Sequence, residues 1–126
     1  MSAATPGEPT SPVLVTPVGA WTARVRRPGG ESTASFRFTA CGHALLVAGG
    51  LGAGRWSSLG PGSFLFRITE PVLDDDAACV GWVDIEQRAS LSGESFTGQG
   101  TSRVHDADGR LARAVPVEIH ATRVAL

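Results

Sequence analysis

The chain of 126 residues lacks lysine, tyrosine and asparagine, and its net charge is only −1. A chain with so little charge of one sign has no overall field to hold nucleic acid or an anionic membrane surface. No apolar run approaches the roughly 20 residues that a membrane-spanning helix needs. We therefore expect neither a nucleic-acid partner nor a membrane partner.

Cysteine is also scarce, since Cys41 and Cys79 are the two thiols of the chain. Their spacing matches neither a metal site nor the disulfide framework of a small secreted domain. Residues 1–12 lack the basic and apolar regions of a signal peptide. We expect a cytoplasmic protein with two buried free thiols, without a metal and without any other cofactor.

What the chain does have is alternation of apolar and polar residues between turns. Trp21, Ala23 and Val25 alternate with polar residues, and Phe64 and Phe66 do the same further along. A period of two indicates half-buried strands, and the sixteen glycines and eight prolines fall mostly between them. The pattern predicts an all-β domain of about eight antiparallel strands.

The domain is predicted to cover residues 17–126 and to follow a flexible N-terminal arm at residues 1–16, which is rich in proline and small polar residues. A meander of eight strands protects its edges best by closing into an up-and-down barrel. A flattened sandwich is the rival, although sandwiches usually need longer Greek-key connections.

Three residues carry a family resemblance. Gly19 and Trp21 open the first strand, and Arg123 lies on the inner side of the last strand. This arrangement resembles the calycin superfamily of lipocalin-like and allene oxide cyclase-like barrels, particularly their compact bacterial intracellular members. The resemblance implies that the Trp21 indole lies across a closed end of the barrel, beneath the Arg123 guanidinium. It also implies a ligand carrier or a cofactor-free cyclase or isomerase.

Residues on the inward parity of the strands are the candidates for binding a small, mostly apolar molecule. Aromatic walls and a few polar groups are typical of such pockets. Trp56 follows the glycine-rich segment 49–54, so it is predicted either to sit at the open mouth or to cap the core. The candidate ligand-binding residues are Phe36, Phe38, Trp56, Phe64, Phe66 and Ser102.

Two polar residues, Glu70 and Gln87, are the candidates for catalysis. Glu70 shares the parity of the buried phenylalanines and falls near a barrel mouth, where a carboxylate can act as a general acid or base; otherwise the strand frays before Pro71 and Glu70 is wet. Gln87 and Ser102 fall on neighbouring strands, where they either bond each other or orient a ligand carbonyl. The expected reaction is cyclisation or isomerisation of a polyketide-like molecule, promoted by orientation.

Two further functions remain open from the sequence. One is a non-catalytic carrier or sensor, and the other is a structural or interaction barrel whose interior is filled by its own side chains. An internal volume below about 300 Å³ favours the filled barrel. A homodimer is compatible with either.

Overall fold

A computed structural model describes residues 16–124, and this part of the chain contains eight strands and no helix. The strands pair antiparallel in chain order, and the last pairs with the first, so the sheet is a closed barrel. The predicted all-β up-and-down barrel is confirmed. The strands are β1 (Gly19–Arg27), β2 (Gly30–Phe38), β3 (His43–Ala48), β4 (Gly52–Gly60), β5 (Ser63–Leu73), β6 (Cys79–Ser92), β7 (Ser95–Asp106) and β8 (Leu111–Arg123).

Two predicted features concern the limits of this fold. The arm predicted at residues 1–16 lies, except for Thr16, outside the described residues. Within residues 16–124, no helix is long and apolar enough to cross a membrane.

Short turns join the strands, and glycine makes several of them possible. Gly29 and Gly109 have φ angles of +92° and +84°, which residues with side chains rarely adopt. These two glycines lie in the β1–β2 and β7–β8 turns. Both turns therefore fall at the same end of the barrel, because successive strands run in opposite directions.

Strand β5 continues through Pro71 to Leu73 and does not fray before it. Pro71 pairs with Trp82 of β6, whereas the pairing of β4 with β5 stops at Thr69. One side of Pro71 therefore has no strand to bond, so its missing N–H leaves no gap in the ladder. Pro71 thus lies at an edge of the β4–β5 pairing and does not end the strand.

The barrel interior is packed with aromatic side chains. Trp21 and the five phenylalanines are at most 2% exposed. Phe66 meets four other phenylalanine rings at centroid distances from 5.1 to 6.3 Å, mostly edge-on or tilted, a geometry that aromatic rings prefer. This cluster occupies the half of the barrel in which β1 begins and β8 ends.

The wall of the barrel is taller on one side. Strands β5 to β8 have 11 to 14 residues, whereas β1 to β4 have 6 to 9. The β5–β6 and β7–β8 hairpins therefore extend beyond the rim at the end where β1 turns into β2. We call their half-buried, inward-parity valines the valine wall: Val72, Val83, Val104 and Val115.

Candidate functional site

One end of the barrel is sealed by the two ends of the described chain. Trp21 pairs with Arg123 in the β1–β8 register, and the Arg123 guanidinium carbon lies 4.3 Å from the centre of the indole. The guanidinium donates to the carbonyls of Val18 at 2.6 Å and Thr16 at 3.0 Å, and the indole N–H donates to Pro17 at 2.8 Å. The predicted contact between Trp21 and Arg123 is present. We call this the sealed end.

Trp56 lies towards the sealed end and not at the open mouth. Its indole N–H donates to the carbonyl of Thr39 at 2.8 Å, and its ring stands edge-on to Phe64. Thr39 belongs to the β2–β3 turn, which is on the same side as Trp21. Strand β4 carries the chain away from the glycine-rich segment before it reaches Trp56, so the indole caps the core.

The phenylalanines predicted to bind a ligand pack mainly on one another. Phe38, Phe64 and Phe66 are buried within the aromatic cluster. Phe36 belongs to the same cluster and also reaches a small cavity near the other end. A ligand in contact with all four rings would have to displace part of the core.

The opposite end, which we call the open end, is lined by polar side chains on inward parity. Arg27, Ser32, Glu70 and Ser102 come from β1, β2, β5 and β7 and surround a cavity of about 30 Å³. We call these four residues the polar ring. Beneath it lies an aliphatic layer of Val25, Leu46, Ile85, Val117 and Ile119.

The size of this cavity restricts what the interior holds. About 30 Å³ is room for a water molecule, whereas pockets for organic ligands usually measure 300 Å³ or more. A depression of about 570 Å³ is open to solvent, and its lining includes the outward Arg26 and Gln99 as well as Arg27 of the polar ring. The cavity within the described barrel is therefore too small for an organic ligand.

Glu70 is half-buried and its carboxylate is packed against the β3–β4 connection. Gly50, with a φ of +143°, lies so close that a β-carbon there would overlap the Glu70 carboxylate. The missing side chain at position 50 lets the backbone cover one side of the carboxylate. The other side of the Glu70 carboxylate faces the cavity at the open end.

Gln87 is fully buried and lies deeper in the barrel than the polar ring. Its side-chain N–H₂ donates to the carbonyl of Val117 at 3.1 Å, and its Oε1 has no hydrogen-bond partner among the described residues. Gln87 pairs with Gly100, whereas Ser102 pairs with Ile85. The predicted bond between Gln87 and Ser102 is therefore wrong, because the two side chains belong to different layers.

Two glycines of β7, Gly98 and Gly100, have inward parity. At Gly98, the space a β-carbon would fill is taken by Gln87 Oε1, and at Gly100 by the backbone of Glu86. These glycines allow neighbouring groups to approach closely. They leave no room for a ligand.

Glu70 and Gln87 are not brought together. Glu70 lies four residues along β5 from Phe66, the cross-strand partner of Gln87, which corresponds to about 13 Å at 3.3 Å per residue. Ile68 and Ile85 form the layer between them. One small group of a ligand does not reach both side chains.

Two residues of the polar ring, Arg27 and Ser32, are not among the candidates from the sequence. Both continue the inward alternation of buried neighbours, Val25 on β1 and Ala34 on β2. The Arg27 guanidinium donates to the Ser32 hydroxyl at 2.9 Å. Extending the period-two pattern by one step on each strand identifies them.

On the outer face of the tall wall, three charged side chains form a surface cluster. Glu86 accepts hydrogen bonds from Arg67 at 2.8 Å and from Arg103 at 3.3 Å. These contacts, chiefly the one from Arg67, hold the pKa of the Glu86 carboxyl below its ordinary value. The cluster joins β5, β6 and β7 behind the open end.

The prediction of two buried thiols is wrong, because Cys41 and Cys79 are both free and both exposed. Each residue lies at a strand end or turn, where the barrel wall cannot cover it.

No protein-family model, no curated protein and no solved structure matches this chain. The resemblance to calycins carried by Gly19, Trp21 and Arg123 stays a prediction.

Proposed function

We propose that this barrel binds a small, mostly apolar molecule with one polar group, at its open end. The observation that carries the proposal is the polar ring, which places two opposite charges and two hydroxyls around an opening above an aliphatic layer. A few convergent polar groups on an apolar surface are typical of small-molecule sites.

The valine wall accounts for the apolar part of the ligand. Val72 and Val104 lie one inward step beyond Glu70 and Ser102, and Val83 and Val115 are the cross-strand partners of these two ring residues. An apolar chain lying on them leaves water at roughly 25 cal/mol for each Å² covered. The polar group of the ligand then points down into the ring.

The charges of the ring favour a neutral polar group. Arg27 donates hydrogen bonds and Glu70 accepts them, so an alcohol can use both at once. An ammonium group pairs with Glu70 but meets the charge of Arg27, and a carboxylate has the reverse problem. We expect 1-octanol to bind more tightly than octylamine or octanoate.

Isothermal titration of these three probes tests the proposal. Removing one ring charge in Glu70→Gln should shift the preference towards octanoate, and Arg27→Gln should shift it towards octylamine. Each shift should be at least about fivefold, or about 1 kcal/mol, as for partly exposed charges. Glu118→Gln, on the outer face of β8, is the matched control and should leave the order unchanged.

The proposal is wrong if none of the three probes binds. It is also wrong if the order of affinities is the same in the wild type and in both ring variants, because the polar ring then does not contact the ligand.

A finer version of the proposal is a cofactor-free cyclisation or isomerisation of a polyketide-like substrate. In this version Glu70 transfers a proton at the opening. Gln87 is buried below Ile68 and Ile85, so its contribution is indirect, through its hydrogen bond to the carbonyl of Val117. Here the ring and the valine wall fold the substrate into a reactive shape. An open-chain substrate that binds Glu70→Ala normally but is no longer converted supports an enzyme; binding without conversion by the wild type supports a carrier.

A second candidate function is a structural or interaction barrel with a filled interior. The cavity of about 30 Å³ and the buried aromatic cluster favour it. Exposed Leu73 and Leu111, each 55% exposed on the two long hairpins, are available to a partner, including a second copy of the chain. No binding of any octyl probe, together with a dimer in sedimentation that Leu73→Ser and Leu111→Ser abolish, favours this function.

We place this activity in the cytoplasm. Cys41 and Cys79 are exposed and unpaired, which suits a reducing compartment. Fractionation of cells that produce the protein tests the location; recovery from an oxidising compartment contradicts it.

A further inference from the structure

The β2–β3 turn at the sealed end holds three reactive or polar side chains in a fixed arrangement. Thr39 N–H donates to the carbonyl of His43 at 2.9 Å, and Gly42 N–H donates to the carbonyl of Thr39 at 3.1 Å. Trp56 of β4 donates to this turn twice, through its backbone N–H to Gly42 at 2.9 Å and through its indole N–H to Thr39. The turn is therefore fixed by its own backbone hydrogen bonds and by two hydrogen bonds from Trp56 of β4.

Within this turn, Cys41 contacts both a base and a hydroxyl. Its Sγ lies 3.3 Å from His43 Nδ1 and 3.3 Å from Thr39 Oγ1. Thr39 Oγ1 already accepts the backbone N–H of His43 at 3.0 Å, so its own proton is free for the sulfur. When the imidazole is protonated at Nε2, His43 Nδ1 accepts the thiol proton, and the Thr39 hydroxyl can donate to the sulfur.

The charged residues of the turn and of the strand segments beside it are arginines. Residues 37–57 contain no aspartate or glutamate. Arg55 of β4 is the cross-strand partner of His43, and Arg37 of β2 pairs with Leu45. His43 also differs from the other two histidines, since His105 and His120 each lie within 4 Å of a carboxylate.

Cys79 provides an internal comparison. It is exposed like Cys41, but its Sγ donates to the carbonyl of Gly81 at 3.2 Å. A backbone carbonyl accepts a hydrogen bond from the thiol but cannot act as a base that removes its proton. The two cysteines of one chain therefore have opposite surroundings.

We propose that Cys41 is a reactive thiol that exchanges with low-molecular-weight disulfides, with His43 as its base. His43 Nδ1 takes the thiol proton, and the thiolate attacks one sulfur of the disulfide. A bond forms between Cys41 Sγ and that sulfur, and the disulfide bond breaks. The other sulfur leaves with the electron pair and takes the proton from His43. Cys41 is oxidised to a mixed disulfide, and the small disulfide is reduced to a thiol.

The test compares single-cysteine proteins. Cys79→Ser retains Cys41, and Cys41→Ser retains Cys79. Both are mixed at about pH 6.5 with anionic 5,5′-dithiobis(2-nitrobenzoate) and with 4,4′-dithiodipyridine, which carries no acidic groups. We expect Cys41 to react at least about tenfold faster with both reagents, and oxidised glutathione to add to Cys41 in intact-mass spectra. In about 6 M guanidinium chloride, the two thiols should react at similar rates.

Variants of the turn separate the role of the base from simple exposure. In the Cys79→Ser background, His43→Gln should lower the rate of Cys41 about tenfold, and Thr39→Val should lower it by a smaller factor. Circular dichroism and thermal melting establish that each variant is folded. The proposal is overturned if the native rates of Cys41 and Cys79 are equal. It is equally overturned if folded His43→Gln reacts as fast as its parent.

Discussion

The two ends of this barrel are built from the same eight strands but with different chemistry. At the sealed end, Trp21 and Arg123 close a core of phenylalanines. At the open end, the polar ring and the valine wall leave an opening above an aliphatic layer. Alternation along each strand supplies both ends, since inward residues change from aromatic to aliphatic to polar along the barrel axis. The barrel thereby keeps its main source of stability away from its candidate site.

The largest expected effect is at the aromatic cluster. Phe66→Ala should lower the free energy of unfolding by about 3–5 kcal/mol, because it leaves a cavity among four other rings. Val72→Ala in the valine wall should cost no more than about 1 kcal/mol, since this side chain is only half-buried. Urea unfolding measures both values. Similar losses of unfolding free energy in the two variants would contradict the proposed difference between the two ends.

A smaller effect is expected at the seal itself. Arg123→Met should lower the free energy of unfolding by about 2–3 kcal/mol, because it removes the cation–π contact and two hydrogen bonds from a charged group. Arg113→Met is the control, since Arg113 is exposed near the other end of the same strand. Chemical denaturation compares them. Equal stabilities of the two variants would show that the seal contributes nothing particular.

Two glycines with similar backbone angles, Gly50 at the open end and Gly60 at the sealed end, distinguish backbone strain from steric overlap. Gly50 has a φ of +143° and lies against Glu70, whereas Gly60 has a φ of +136° and nothing within 4 Å. Alanine strains the backbone at both positions, but Gly50→Ala should cost about 1–2 kcal/mol more. Adding Glu70→Ala should recover part of that difference in thermal or urea unfolding. No recovery would mean that Glu70 is not packed against residue 50.

The smallest effect concerns the charged cluster behind the open end. The pKa of Glu86 is lowered in the folded protein by Arg67 and Arg103, so its ionised form stabilises the fold above the ordinary value near 4.3. That contribution is lost as the pH falls through the lowered pKa. Glu86→Gln should therefore cost up to about 1 kcal/mol at pH 7 and less at about pH 3. Urea unfolding at both pH values measures this, and a cost that grows in acid would contradict the assignment.

Much of this fold could be predicted from the sequence, because the alternation of apolar and polar residues indicates which face of each strand points inward. The pairing of Trp21 with Arg123 could also be anticipated, since a closed barrel joins its first and last strands. The position of a residue along the barrel axis could not be predicted from the sequence. Trp56 lies near the sealed end because β4 begins at Gly52 at the open end and runs towards the sealed end. Where β4 begins depends on its register with β3 and β5.

The polar ring shows the same limitation. Arg27 and Glu70 come from β1 and β5, which are not neighbours in the sheet. Bringing them to one level requires the stagger of every strand between them, which period-two alternation does not encode. The exposure of Cys41 and its contact with His43 likewise depend on the turn geometry and not on composition.

The most direct test of the difference between the two ends is a titration with 1-octanol followed by NMR of methyl groups. The protein is labelled with ¹³C at its valine and isoleucine methyls. We predict saturable shifts at the methyls of Ile85 and the valine wall, with the methyls of Val18, beside Arg123 at the sealed end, unaffected. Shifts centred on the sealed end, or no saturable shift at the open end, would contradict the account.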